Sequence, residues 1–121
     1  MAWNLSADRP IYAQLVEQIE LMIVAGIYPP GCRLPSVRDM AGEAAVNPNT
    51  MQRALAQLES EGLLFSQRTS GRFVTEDTEK IARTKNALAQ GLIDDFLQNM
   101  NRLGYDRQQT VLLIKGNEEE K

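Results

Sequence analysis

At 121 residues, 43 % of them hydrophobic, the chain has material for one small core or a small core with an appendage, and such a core gains from a second copy. It has no histidine and a single cysteine, Cys32, so it lacks the commonest general base, the commonest metal ligand and any internal disulfide; an enzyme, a metal site and a cofactor are not expected. Net charge is −3, the N-terminus carries no basic region followed by an apolar stretch, and apolar runs such as Val111 to Ile114 are far too short to cross a bilayer, which argues against a signal peptide and a membrane span and for a cytoplasmic protein.

In chain order, residues 10–25 predict a helix: Ile11, Leu15, Ile19, Met22 and Ile23 recur on one face of a 3.6-residue repeat, Pro10 suits a first turn and Gly26 a stop. Pro29-Pro30-Gly31 forbids helix and leaves Cys32 in a loop, where a small inert thiol is expected. Residues 36–45 predict a short helix with Ser36 as N-cap and Asp39 three positions on. Residues 48–61 predict a third, with Asn47 as N-cap, Pro48 at the first position and Gly62 at the end. Its buried stripe is Met51, Ala54, Leu55 and Leu58, and Asn49, Gln52, Arg53, Ala56 and Ser60 lie opposite.

Residues 63–75 read as two short strands around a turn at Thr69-Ser70-Gly71. Residues 78–103 predict a long helix capped by Thr78 and stopped by Gly104. Ile81, Leu88, Leu92, Phe96 and Leu103 form its stripe, and the interior Gly91 suggests a close contact or a bend. Asp106 caps a last helix through Lys115 that contains Leu112; Gly116 ends it, and Glu118 to Glu120 form a solvated tail. The fold class is therefore mainly α with a small β-hairpin wing, and two regions follow: residues 1–75 and a helical tail, 76–121.

Two short helices separated only by Val46 and Asn47 have helix-turn-helix spacing. In that motif the second helix enters the major groove and its first residues meet base edges. Asn and Gln pair with adenine and Arg with guanine, and a helix N-terminus offers free N–H groups to phosphate. Charge distribution agrees. Residues 33–75 are the only net basic third, with five arginines (33, 38, 53, 68 and 72) against four carboxylates. Singly, Arg38 reads equally as a surface partner of Asp39 or Glu43, and Arg68 and Arg72 as edge-strand charges. A winged-helix protein-interaction module is the alternative reading, but it calls for an apolar exposed face where Asn49, Gln52 and Arg53 stand.

The runs Gly31-Cys32-Arg33-Leu34-Pro35-Ser36-Val37-Arg38, Val46-Asn47-Pro48-Asn49-Thr50-Met51-Gln52-Arg53-Ala54, Leu58-Glu59-Ser60-Glu61-Gly62-Leu63 and Gly71-Arg72-Phe73-Val74 resemble the winged helix-turn-helix of GntR-family transcription regulators, most closely the YtrA-type subfamily. The resemblance implies a homodimeric repressor that binds an inverted-repeat DNA operator. It places Arg38 on phosphate or a guanine and Asn47, Asn49, Thr50, Gln52 and Arg53 along the recognition helix. Gly71, between Arg68 and Arg72, would let the wing approach DNA. The tail would dimerise, with Leu88, Leu92, Phe96, Leu103 and Leu112 at the interface, and a small-molecule effector would have to sit between copies. The sequence departs from the family at Thr69, where a wing glycine is usual, and at Leu55, often aromatic in the subfamily.

Overall fold

In the computed structural model, which describes residues 3–119, the elements are α1 (Ile11–Val24), α2 (Val37–Ala44), α3 (Pro48–Ser60), β1 (Leu64–Gln67), β2 (Gly71–Val74), α4 (Thr78–Arg102) and α5 (Arg107–Glu119). They pack as two compact units, one ending at Lys85 and the other beginning at Asn86.

In the first unit α1 lies on α3, and α2 packs against α3 from another side. The core is Leu15, Ile19 and Ile23 from α1, Met40, Ala41 and Ala44 from α2, and Met51, Ala54, Leu55 and Leu58 from α3, closed by Leu34, Leu63, Leu64 and Val74. Leu55 is fully buried, so the smaller side chain is accommodated by packing at this position. Each such buried Leu, Ile or Met contributes about 1.5–3 kcal/mol. Gln14 is buried too, and its amide is satisfied by the segment ahead of α1: Nε2 donates to the carbonyls of Ser6 (2.8 Å) and Arg9 (2.9 Å), and Oε1 accepts from the Ser6 N–H (2.8 Å). Trp3 and Leu5 are thereby held against the core.

The helix starts follow the side-chain chemistry. Ser36 Oγ accepts from the Asp39 N–H at 3.1 Å, and Asn47 Oδ1 accepts from the Asn49 N–H at 2.7 Å. Pro10 stands at the N-cap position of α1, one residue ahead of the first turn. Between α2 and α3 the chain turns through Ala45 in the left-handed conformation, φ 57° and ψ 46°. The Val46 N–H bonds back to the Ala41 carbonyl at 3.0 Å and the Ala45 N–H to Gly42 at 3.3 Å, a double closure usually built on glycine.

β1 and β2 are antiparallel, with Leu64 opposite Val74, Phe65 opposite Phe73, Ser66 opposite Arg72 and Gln67 opposite Gly71. A third strand-like segment joins them. Arg33 bridges Phe73, the Leu34 N–H donates to the Arg72 carbonyl and the Val74 N–H to the Cys32 carbonyl, each at 2.9 Å. Cys32 is half-buried within this ladder, and burial pushes its thiol up, away from the reactive thiolate.

Asp77, rather than Thr78, caps α4: its Oδ1 accepts from the Lys80 N–H at 3.0 Å, while Thr78 is already the first helical residue. Ile81 packs on the winged core, so the start of α4 belongs to the first unit and is not part of a free tail stripe. The division at residue 75 is one of expected roles, not of packing.

In the second unit Gly104, at φ 99°, turns the chain from α4 into α5, and Asp106 and Gln109 cap α5 reciprocally at 2.8 and 2.9 Å. α5 runs on to Glu119 instead of ending at Gly116, because one glycine costs a helix only about 1 kcal/mol. A Cβ on Gly91 would meet nothing within 4 Å, so the close contact expected there is not made within the chain. Side chains of the acidic tail, Glu118 to Glu120, lie outside the described residues. No helix among the described residues is long and apolar enough to cross a membrane.

Candidate nucleic-acid interface

The exposed side of α3 carries the polar residues expected from its periodicity, but the structure divides them among three surroundings. At the N-terminus Asn47, Asn49 and Thr50 stand together. Asn47 is engaged as the cap, whereas the exposed Asn49 side chain has no hydrogen-bond partner among the described residues. One turn on, Arg53 leans towards α1, with its guanidinium carbon 3.8 Å from the centre of the Tyr12 ring. This cation–π contact holds the planar group against a half-buried ring and leaves its edge N–H groups free to bond elsewhere.

Gln52 leans the other way, towards the wing. Its Oε1 accepts from Arg72 Nη1 at 3.0 Å. Arg72 Nε donates to Glu59 Oε1 at 3.1 Å, and Ser66 Oγ donates to the same carboxylate oxygen at 2.7 Å. The register explains the convergence: Ser66 and Arg72 are cross-strand neighbours, and Gln52 and Glu59 are seven residues apart, on one side of α3. The Ser66 and Arg72 bonds pull the Glu59 carboxyl below the ordinary glutamate range, so it is ionised at neutral pH. The wing is thus fastened to α3 by two hydrogen bonds to one carboxylate.

At the wing tip the Ser70 N–H bonds to the Gln67 carbonyl at 3.1 Å, closing a turn through Arg68 and Thr69. Neither needs positive φ, so Thr69 is accommodated without the usual glycine. Gly71 does need its freedom. Its φ is 108°, and a Cβ there would stand 3.1 Å from Arg33 Nε. Arg68 and Gly71 are exposed, and Arg38 is exposed at the second position of α2. Arg38 makes no ion pair with Asp39 or Glu43: among the described residues the ion pairs are Arg9–Glu17 and Arg72–Glu59. Arg33, Arg38, Arg53 and Arg68 are therefore uncompensated at ion-pair distance. Arg33, Ser36, Gln52, Arg68 and Arg72 line a shallow hollow between α3 and the wing.

Arg33 was not among the expected DNA contacts. It joins them because the residues after Pro29-Pro30 form an edge of the wing sheet, laying this side chain against Gly71. The signal was faint: half-buried Cys32, exposed Arg33 and buried Leu34 follow a strand's alternation for only three residues. Tyr12 was assigned no role by periodicity, and only the α1–α3 packing brings it under Arg53.

Comparisons place this arrangement among known regulators. The family model described as "Bacterial regulatory proteins, gntR family" matches residues 11–74. The HTH-type transcriptional repressor YtrA of Bacillus subtilis is 36 % identical over 94 residues, 73 % of this chain and 72 % of that protein. A GntR family transcriptional regulator from Listeria monocytogenes has the same fold at a TM-score of 0.86 and 36 % identity, covering 93 % of this chain and 98 % of the other. The DNA-binding domain of AraR in complex with operator ORE1 is similar at a TM-score of 0.54 and 30 % identity, covering 62 % of this chain and 94 % of that domain.

Proposed function

The chain belongs to the GntR family of bacterial regulatory proteins, transcription regulators rather than enzymes, with YtrA-type relatives, and from that premise we propose that it is a cytoplasmic, homodimeric repressor of an inverted-repeat DNA operator. Residues 1–75 bind DNA and residues 76–121 dimerise. The observation that carries the DNA reading is the polar exposed side of α3, which bears Arg53 and shares a hollow with Arg33 and Arg68; no carboxylate among the described residues compensates these charges or that of the exposed Arg38 on α2. Unpaired guanidinium groups beside a polar helix face suit phosphates and guanine edges. Asn47, Asn49, Thr50, Gln52 and Arg53 face the major groove, Arg38 holds its edge, and Arg68, Gly71 and Arg72 belong to the wing contact. A protein-interaction module would expose apolar residues on this face, and α3 does not.

The second unit supports self-association. Among its described residues Thr110 alone is fully buried, whereas Leu92 and Leu103 are 68 % and 73 % exposed, and Phe96, Leu112 and Ile114 are exposed as well. They stay exposed although α5 follows α4 directly in the chain. Isolated helices with bare apolar faces are marginal in water, and a two-fold copy is the commonest cover. Leu88, half-buried, and Gly91, facing open space, lie on the same stretch of α4. A small-molecule effector, if one is used, binds between copies.

The test is selection of bound duplexes from a random DNA pool, with sedimentation of the protein alone and on full and half operators. An inverted repeat with half-sites about one helical turn, roughly 10 bp, or a multiple of it apart and a dimer in solution are expected. A monomer that binds a lone half-site as tightly as the full site would overturn the dimeric reading, and absence of any enriched sequence would overturn the DNA reading.

A further inference from the structure

A glutamine on a recognition helix can face a base in two ways. With both amide atoms presented it takes adenine, accepting from N6 and donating to N7; with its amide nitrogen alone it takes an acceptor edge. In this protein Gln52 is not free to choose. Its partner Arg72 has only donors, so the amide atom 3.0 Å from Arg72 Nη1 is the oxygen, and the nitrogen is turned away. Arg72 is in turn held through Nε by Glu59, which Ser66 also anchors. The Arg72 side chain is 17 % exposed, whereas Gln52 is exposed.

We propose that Arg72 is a positioning residue which, braced by Glu59, fixes the Gln52 amide with its N–H groups outward, so that Gln52 reads guanine and not adenine. The inference rests on the DNA-binding reading above and adds which base this position takes. Two features favour guanine in particular. The pair's unengaged N–H groups, two on Gln52 Nε2 and those of Arg72 Nη2, outnumber the one lone pair left on Gln52 Oε1, and guanine alone offers two adjacent acceptors, N7 and O6, in the major groove. The guanidinium beside the amide oxygen also repels adenine's N6 donor, which would have to approach the same atom. The wing thereby sets what the recognition helix reads, although Arg72 need not touch a base itself.

The test begins from the sequence enriched by the wild type. Gln52→Ala, an exposed change to a strong helix former, identifies the base pair at which discrimination is lost. Guanine is expected there, with discrimination over adenine falling by at least about fivefold in the variant. Arg72→Met keeps the apolar stem and removes the donor. It should raise the relative affinity for adenine at that one position and leave the preferences at other positions unchanged. Thermal unfolding of each variant reports whether it is folded. Any base other than guanine at the Gln52-dependent position overturns the inference, as does a folded Arg72→Met protein that loses affinity equally for all sequences. Should Arg72→Met not fold, the base found with Gln52→Ala decides alone. If the wild type enriches no sequence at all, the DNA-binding reading fails instead, so the two failures are distinguishable.

Discussion

Ala45→Gly should stabilise this protein. Ala45 closes α2 at φ 57° and ψ 46°, and it is the only non-glycine with positive φ among the described residues. An L-residue with a Cβ pays about 1–2 kcal/mol in that region. Glycine removes this strain but adds conformational freedom to the unfolded chain, which returns roughly 0.5–1 kcal/mol. The Ala45 methyl is exposed and loses little packing, so a net gain of about 0.5–1 kcal/mol remains. For a unit of this size that is a rise of about 2–8 °C in Tm. The measurement is thermal unfolding followed by circular dichroism at one fixed protein concentration, because a dimer's Tm depends on concentration. DNA affinity should be unchanged, since the turn keeps its conformation. Ala44→Gly is the control: Ala44 is helical, buried and in the core, so it should lose about 1 kcal/mol or more. An Ala45→Gly protein no more stable than the wild type would refute the strain argument.

Arg38→Ala should flatten the dependence of log K on log[salt] by about one unit if Arg38 neutralises one phosphate; an unchanged slope would remove it from the interface. Asn49→Ala should cost about 1–3 kcal/mol on the selected operator and much less on random DNA, and equal losses on both would make Asn49 a backbone contact. Phe96→Asp should leave a winged unit that sediments as a monomer and keeps only half-site affinity, whereas a persistent dimer would move the interface away from this face. Glu59→Gln probes pH. Because the carboxyl of Glu59 is depressed in the folded protein, its stabilising contribution is present above the ordinary glutamate range and is lost as pH falls through the lowered value. The stability gap between wild type and Glu59→Gln should therefore close in acid, and a gap constant with pH would show that the wing anchor does not depend on that charge.

Much of this molecule is determined by local rules that act within a few residues. The three-helix order, the caps at Ser36, Asn47 and Asp106 and the hairpin between Leu63 and Thr75 follow from periodicity and from side chains that satisfy neighbouring N–H groups. Such bonds span three or four residues and need no tertiary partner. Local signals also misjudged what lies at their limit: Gly116 is too weak to stop α5, and Thr78 yields the cap to Asp77, whose carboxylate is the better acceptor. The candidate interface was legible as residue types on a face, but not as an arrangement. Only the packing of α1 and the wing on either side of α3 turns Arg53 onto Tyr12, Gln52 onto Arg72 and Arg72 onto Glu59. Those partners lie 13 to 41 positions apart in the chain, so no helical or strand period relates them. A long, flexible side chain takes its direction from whichever partner the fold brings within about 3 Å of it, and that is decided by tertiary structure alone.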